Sequence, residues 1–235
     1  MSLSRSSQLV KTKQLLKKNT AIIFDFDGLL ANSEPYHYDA YNEVFQRYGH
    51  TINKDEYWIE WTSKGKGIAG EIERHNLQLE IDPIQLRQQK FEAYSRYCHN
   101  GDIKLFPESI EVVELIKTSH PVAIASGSWK NDIVAILKNA KAEHLFDKIL
   151  GKESVKKEKP HPEIFLNAAK ELRHPASQCV VIEDALKGLS ASKAAGMPCI
   201  VIRNQLNQNI DFGEADLVFP SLSDFLNIVK FLMQR

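Results

Sequence analysis

Short apolar runs recur along the chain at residues 20–26 (TAIIFDF), 121–126 (PVAIAS), 148–151 (KILG), 178–184 (QCVVIED), 198–203 (PCIVIR) and 216–220 (DLVFP). Each has the length of one strand and is nearly continuous in apolar residues, as expected where both faces of a strand are covered. Helix-like segments follow the runs, and this alternation predicts an α/β fold, a parallel sheet wound with helices. Between residues 34 and 100 the rhythm breaks. Tyr38, Tyr41, Phe45 and Tyr48, then Phe91, Tyr94 and Tyr97, recur at helical spacing with no strand-like run between them. About 65 residues are far more than one crossover needs. The pattern therefore predicts a helical domain over residues 34–100, inserted after the first strand of a core domain formed by residues 1–33 and 101–235.

The first run ends in two carboxylates one residue apart, Asp25 and Asp27, and the fourth in Glu183 and Asp184. The second ends in Ser126, Gly127 and Ser128. In a parallel wound sheet, ligands collect outside the carboxyl ends of the strands, so these residues are expected at one edge. Four unpaired carboxylates there would repel one another and take up protons. They match what Mg²⁺ requires, hard oxygen ligands with room left for water and a phosphate. Taken singly, SGS reads as a loop or helix cap and the Glu-Asp pair as a helix-capping acid; their order and shared strand-end position change that reading. In KKEKPHPEIF (residues 156–165), Lys159 precedes a proline and a helix-like run, which aims one ammonium group, whereas Lys152, Lys156 and Lys157 are expected on a solvated face.

Composition narrows the partners. The 235 residues carry 30 basic and 30 acidic side chains, so no global field invites nucleic acid or an anionic membrane. The expected ligand is a small molecule, and the expected state a monomer or weak dimer. The three cysteines, Cys98, Cys179 and Cys199, lack metal-binding spacing, and the last two lie inside apolar runs; all are expected to be reduced and structural. No run approaches the ~20 apolar residues of a spanning helix, and the polar opening MSLSRSSQLVKTKQLLKK lacks the apolar centre of a signal peptide, so a cytoplasmic protein is expected.

With four motifs in order, DFDGLLANSE, IASGS, KEKPHPEIF and VVIEDALKGLSASKAAGMP, the sequence resembles the haloacid dehalogenase superfamily, in the branch of β-phosphoglucomutase and phosphoglycolate-type phosphatases. The resemblance covers nearly all of the chain after residue 19. It implies a Rossmann-like core with a helical cap that opens and closes over the strand ends, and a Mg²⁺-dependent phosphatase acting on a small phosphorylated metabolite such as a sugar phosphate. Asp25 would be the nucleophile that forms an aspartyl phosphate. Asp27 would protonate the leaving oxygen and then activate water. Ser126, with Gly127, Ser128 and nearby backbone amides, would bind phosphoryl oxygens, and Lys159 would neutralise the charge on nucleophile and phosphoryl group. Asp184 with Glu183 would hold Mg²⁺ beside Asp25 and the backbone carbonyl of Asp27. Dehalogenases of similar fold lack the second acid because a halide leaves without a proton, so Asp27 argues for phosphoryl transfer.

In the inserted region, His37 sits where relatives often carry a histidine that could meet the catalytic acid or a sugar hydroxyl; packing is an equal alternative. Lys64 and Lys66, in SKGKGIAGEI, fall on the loop that touches substrate in relatives, or on a solvated turn. That loop lacks the arginine that the mutase places on a second phosphate, Trp129 interrupts the polar run after Ser126, and LFPES lacks the glycine common in the second linker. The missing arginine favours hydrolysis. A sugar phosphomutase and a non-catalytic receiver-like signalling module are the alternatives, and receivers lack both a cap and DxD spacing.

Overall fold

The computed structural model describes residues 5–63 and 65–233. Its contacts divide the chain into two compact units, one made of the residues up to Asn32 and from Leu105 onward, the other Ser33–Lys104. All six apolar runs are strands: β1 (Ala21–Phe24), β2 (Val122–Ala125), β3 (Lys148–Leu150), β4 (Cys179–Glu183), β5 (Cys199–Ile202) and β6 (Leu217–Phe219). They form one parallel sheet in the order β3-β2-β1-β4-β5-β6. Ile22 of β1 lies opposite Val122 on one side and Val180 on the other. The chain thus winds outward from β1 in both directions, and the strand order reverses beside it, where a doubly wound sheet opens a crevice at its carboxyl edge.

Strands β1, β2, β4 and β5 are buried along their whole length, because helices cover both faces. Ile23, Ala123, Ala125, Val181, Cys199 and Val201 join Ile164, Phe165 and Leu189 in one apolar layer. The intervening residues, Ile22, Phe24, Ile124 and Ile182, point to the opposite face by the period of a strand. Helix Leu222–Met233 buries Leu222, Phe225, Leu226 and Val229, the i, i+3, i+4, i+7 stripe of a core-facing helix, and packs against helix Ser109–Lys117.

The polar opening stretch includes a helix, Arg5–Leu15, which pattern reading did not resolve because its apolar positions are few. It contacts β6, and Gln8 Nε2 donates to the carbonyl of Val218 (3.4 Å), covering the outermost strand of the sheet. All three cysteines are buried and free, and burial pushes the Cys179 thiol up to about 11, so these thiols pack as small hydrophobes.

The second unit is helical, with no strand among its described residues. Helix Glu34–Gln46 pairs with helix Pro83–Asn100 around buried Phe45, Leu86, Ala93 and Tyr94. Asp82 caps the latter by accepting from Ile84 N (2.8 Å), and Gly101 ends it at φ +79°, a left-handed conformation that a Cβ would strain. Among the described residues, no helix is long and apolar enough to cross a membrane.

Candidate active site

Asp25 directly follows β1, and its backbone N–H continues the ladder by donating to Ile182 O (2.9 Å). The chain then folds back through Gly28 at φ +76°, where Gly28 N donates to Ala31 O. Lys159 reaches the same point from the segment after β3. Its Nζ donates to Asp25 Oδ1 (2.6 Å), Glu183 Oε1 (2.8 Å) and the carbonyl of Ala125 (3.0 Å), which satisfies all three ammonium protons. Burial opposes the Lys159 charge, but Asp25 and Glu183 together hold its pKa above the ordinary lysine value.

Asp27 is held from β2. The hydroxyls of Ser126 and Ser128 both donate to Asp27 Oδ2 (2.8 and 2.7 Å), and Ser128 N donates to Ser126 Oγ (3.0 Å). Gly127, between them, is exposed and has nothing near the place of a Cβ. The two aspartates therefore face different partners, Asp25 an ammonium and Asp27 two hydroxyls.

Carboxylate oxygens of Asp25, Glu183 and Asp184 lie within 4.8 Å of one another, a cluster that can hold a divalent cation. The donors are all hard oxygens, which suits Mg²⁺ or a similar ion and not a thiolate-seeking metal. Glu183 is engaged at both ends: Oε1 accepts from Lys159, and Oε2 accepts from the backbone N–H groups of Asp184 and Ala185 (2.8 Å each). Desolvation raises Asp25 from 3.8 to about 7, with Glu183 adding to it and Lys159 opposing. The fully buried Glu183 thus works in two ways, anchoring the lysine and repelling the Asp25 charge.

These facts set a pH dependence for the metal-free protein. Because the folded pKa of Asp25 exceeds its unfolded value, its contribution to stability is fully present below 3.8 and is lost as pH rises through about 7. In EDTA, the Tm should fall between about pH 6 and pH 8 by more than about 3 °C, the shift that ~1 kcal/mol gives in a domain of this size. Added Mg²⁺ should restore more of it at pH 8 than at pH 6, since it binds the deprotonated carboxylate. Scanning calorimetry at both pH values would refute this if the Mg²⁺ increment were equal.

Three contributors escaped the sequence reading. Asn204 Nδ2 donates to Asp184 Oδ2 (2.7 Å) and to Gly28 O (3.0 Å), and Asn207 Nδ2 donates to Asp184 O (2.8 Å), so the loop after β5 orients the acid that ends β4. A Cβ at Gly188 would stand 1.6 Å from Glu183 Oε1, which makes that glycine a spatial requirement of the buried carboxylate. An asparagine in a loop and a glycine in a helix carry no distinctive sequence signal.

Of the lysines expected on a solvated face, Lys156 and Lys157 are exposed, but Lys152 has a largely covered side chain paired with Glu158. His37 belongs to the helical unit, where it stacks on Tyr94 (3.9 Å, 9° between planes) and its Nδ1 lies 2.7 Å from Lys90 Nζ. Lys66 is exposed at the start of helix Gly67–His75, and Lys64 lies outside the described residues.

The family model for haloacid dehalogenase-like hydrolases matches residues 22–202. Protein SUPPRESSOR OF QUENCHING 1, chloroplastic, of Arabidopsis thaliana is 35% identical over 197 residues, which are 82% of this chain and 19% of that protein. The chain thus spans about a fifth of that relative's length. Fructose-1-phosphate phosphatase YqaB of Escherichia coli (strain K12) is 31% identical over 192 residues, 80% of this chain and 99% of the relative. The crystal structure of CbbY from Rhodobacter sphaeroides in complex with phosphate matches with a TM-score of 0.75 and 28% identity, over 90% of this chain and 99% of that one. The class of enzyme is a phosphoric monoester hydrolase. The chain belongs to the haloacid dehalogenase-like hydrolase family.

Proposed function

We propose that the chain hydrolyses a small phosphorylated metabolite, a sugar phosphate, through an aspartyl-phosphate intermediate with Mg²⁺ as cofactor. The observation that carries this reading is the division of labour between the two aspartates, one bonded to Lys159 and the other to two serine hydroxyls. The named phosphatase YqaB, matched over nearly its whole length, supports the substrate class.

In this mechanism Asp25 attacks phosphorus. The leaving alkoxide takes a proton from Asp27, whose carboxyl the two serines hold two residues beyond the nucleophile; Asp27 then accepts a proton from the water that cleaves the acyl phosphate. Lys159 offsets charge on Asp25 and on the phosphoryl oxygens, and the Gly127 amide binds those oxygens, joined by Ser126 and the Ser128 amide as the Ser126 hydroxyl turns from Asp27 to the phosphoryl group and Ser128 Oγ stays on Asp27. Asp25, Asp184, the Asp27 carbonyl and Glu183 would hold the Mg²⁺, Asn204 and Asn207 fixing Asp184. When bound, Mg²⁺ lowers the repulsion between an anionic nucleophile and an anionic phosphoryl group. The helical unit Ser33–Lys104 would be the cap that selects substrate, with Lys66 and His37 as candidate contacts.

The direct test is phosphate release from a panel of phosphorylated metabolites with Mg²⁺ present. Sustained release from a sugar phosphate supports the reading. A requirement for a bisphosphate with little free phosphate would replace it with a mutase, and no turnover of any phosphomonoester would overturn it.

Asp27 has its own signature. In Asp27→Asn, turnover of a sugar phosphate should fall ~10²–10⁴-fold, the usual contribution of a positioned acid and base. Nitrophenyl phosphate should instead give a burst and then stall, because nitrophenolate leaves unprotonated while the phosphoenzyme still needs its base. Stopped-flow traces on both substrates decide it; parental turnover of the sugar phosphate would remove the Asp27 carboxyl from the chemistry.

A further inference from the structure

A second cluster of ligand-type side chains lies wholly within the helical unit. Glu71 and His75 stand one turn apart on helix Gly67–His75, on the same helix face, and His50 comes from the loop after helix Glu34–Gln46. Nε2 of His50 lies 2.8 Å from Glu71 Oε1, and Nε2 of His75 lies 3.6 Å from the same oxygen. Glu56 Oε2 is 3.0 Å from His75 Nε2. Two imidazole nitrogens and one carboxylate oxygen therefore converge, the His50, Glu71 and His75 atoms all lying within 4.8 Å of one another, with Glu56 against His75 at the rim.

The other oxygen of Glu71 is committed elsewhere. Oε2 accepts from Trp61 Nε1 (2.9 Å) and from the guanidinium of Arg74. This carboxylate is fully buried, so its charge needs compensation, and the two donors fix its plane so that Oε1 faces the histidines. That is how outer hydrogen bonds orient a ligating carboxylate. The spacing agrees with a small cation: in a tetrahedron with arms of about 2.1 Å, neighbouring ligand atoms stand ~3.4 Å apart, and the observed 2.8 and 3.6 Å bracket that edge. His75, with a third of its side chain exposed, gives a path from solvent.

We propose that His50, Glu71 and His75, with a water as fourth ligand, form a Zn²⁺ site in the helical unit, made of residues that take no part in the phosphatase chemistry. The mixed nitrogen and oxygen donor set suits Zn²⁺ and differs from the all-oxygen set at the strand ends. Bound there, the ion would tie the loop at His50 to helix Gly67–His75, two segments about 20 residues apart in sequence.

The experiment uses the full chain, stripped with chelator, equilibrated with Zn²⁺ and desalted at about pH 7.5. Metal content is read by atomic emission and affinity by competition with a chromophoric chelator. The parent and Asp184→Asn should each retain about one Zn²⁺. His75→Ala should bind at least ~100-fold more weakly, since changing an outer partner alone costs 10–100-fold. Co²⁺ in the parent should show the visible bands of a four-coordinate site, absent in His75→Ala. Circular dichroism confirms that His75→Ala is folded, and His75→Asn serves should the alanine variant fail. No retained Zn²⁺ in the parent, unchanged affinity in a folded His75 variant, or loss of the ion in Asp184→Asn alone would each overturn the site.

Discussion

Replacing Asp25 with asparagine should lower phosphate release by about 10⁶-fold, the scale of losing the nucleophile from a covalent hydrolase, while leaving the protein folded. The amide keeps the shape of the carboxyl but cannot attack phosphorus. It also removes one of two buried carboxylates that share Lys159, and Glu183 remains to pair with that ammonium at 2.8 Å. Since Glu183 and burial both oppose ionised Asp25, the variant should melt within a few degrees of the parent. Labelled phosphate should appear on the parent protein after an acid quench and be absent from Asp25→Asn. Label on the variant at parental level would transfer the role to another residue.

The largest expected effect on stability belongs to Lys159. Its ammonium is the shared partner of Asp25 and Glu183, and its side chain is only 6% exposed. In Lys159→Met the two acids face each other without it, and breaking a buried pair in this way costs about 3–5 kcal/mol. Activity should fall as well, by ~10²–10³-fold, because a fixed cation aimed at the transferring group is lost. The stability loss should depend on pH. Asp25, already raised to about 7 beside the lysine, moves further up without it; the folded variant then binds a proton that the unfolded chain does not, and so regains stability as pH is lowered from above neutrality. Urea unfolding in EDTA at about pH 5.5, 7 and 8.5 would show the deficit shrinking toward acid. A deficit that is constant with pH would mean that Lys159 acts through packing alone.

The fold was legible in the sequence where the physics is local. AIIF, VAIA, CVVIE and CIVI are apolar on both faces, which only a covered parallel strand tolerates. Asp25 and Asp27 stood out for the same reason, since charge at the end of a buried run needs a partner; Lys159 stood out because two prolines follow it, and its pairing with Asp25 came from the family resemblance. What stayed hidden depends on the third dimension. Asn204 and Asn207 matter through their reach to Asp184, and Gly188 matters because Glu183 fills the space beside it. Lys152 looked like its neighbours in a charge run, but its side chain is largely covered and paired with Glu158. His50, Glu71 and His75 are separated by 21 residues and by four, with no motif spacing to join them. Helix Arg5–Leu15 was missed because it is mostly polar, although Thr12 within it is fully buried.

The position of β1 at the middle of the sheet also bears on how the protein is made. Of the strands, the one leading into Asp25 leaves the ribosome first, yet both of its neighbours, β2 and β4, come much later, and the lysine bonded to Asp25 lies 134 residues further on. At about 5–20 residues per second, that separation takes roughly 7–27 s of synthesis. Until β2 emerges, AIIF is a short apolar segment with both edges unpaired, and one edge stays open until β4, the kind of surface that recruits chaperones or other nascent chains. The helical unit, by contrast, closes within Ser33–Lys104 and can form while the sheet still waits. The Asp25–Lys159 pair is therefore assembled late, and any product truncated before β4 holds Asp25 at the edge of half a sheet, without Glu183 and Asp184.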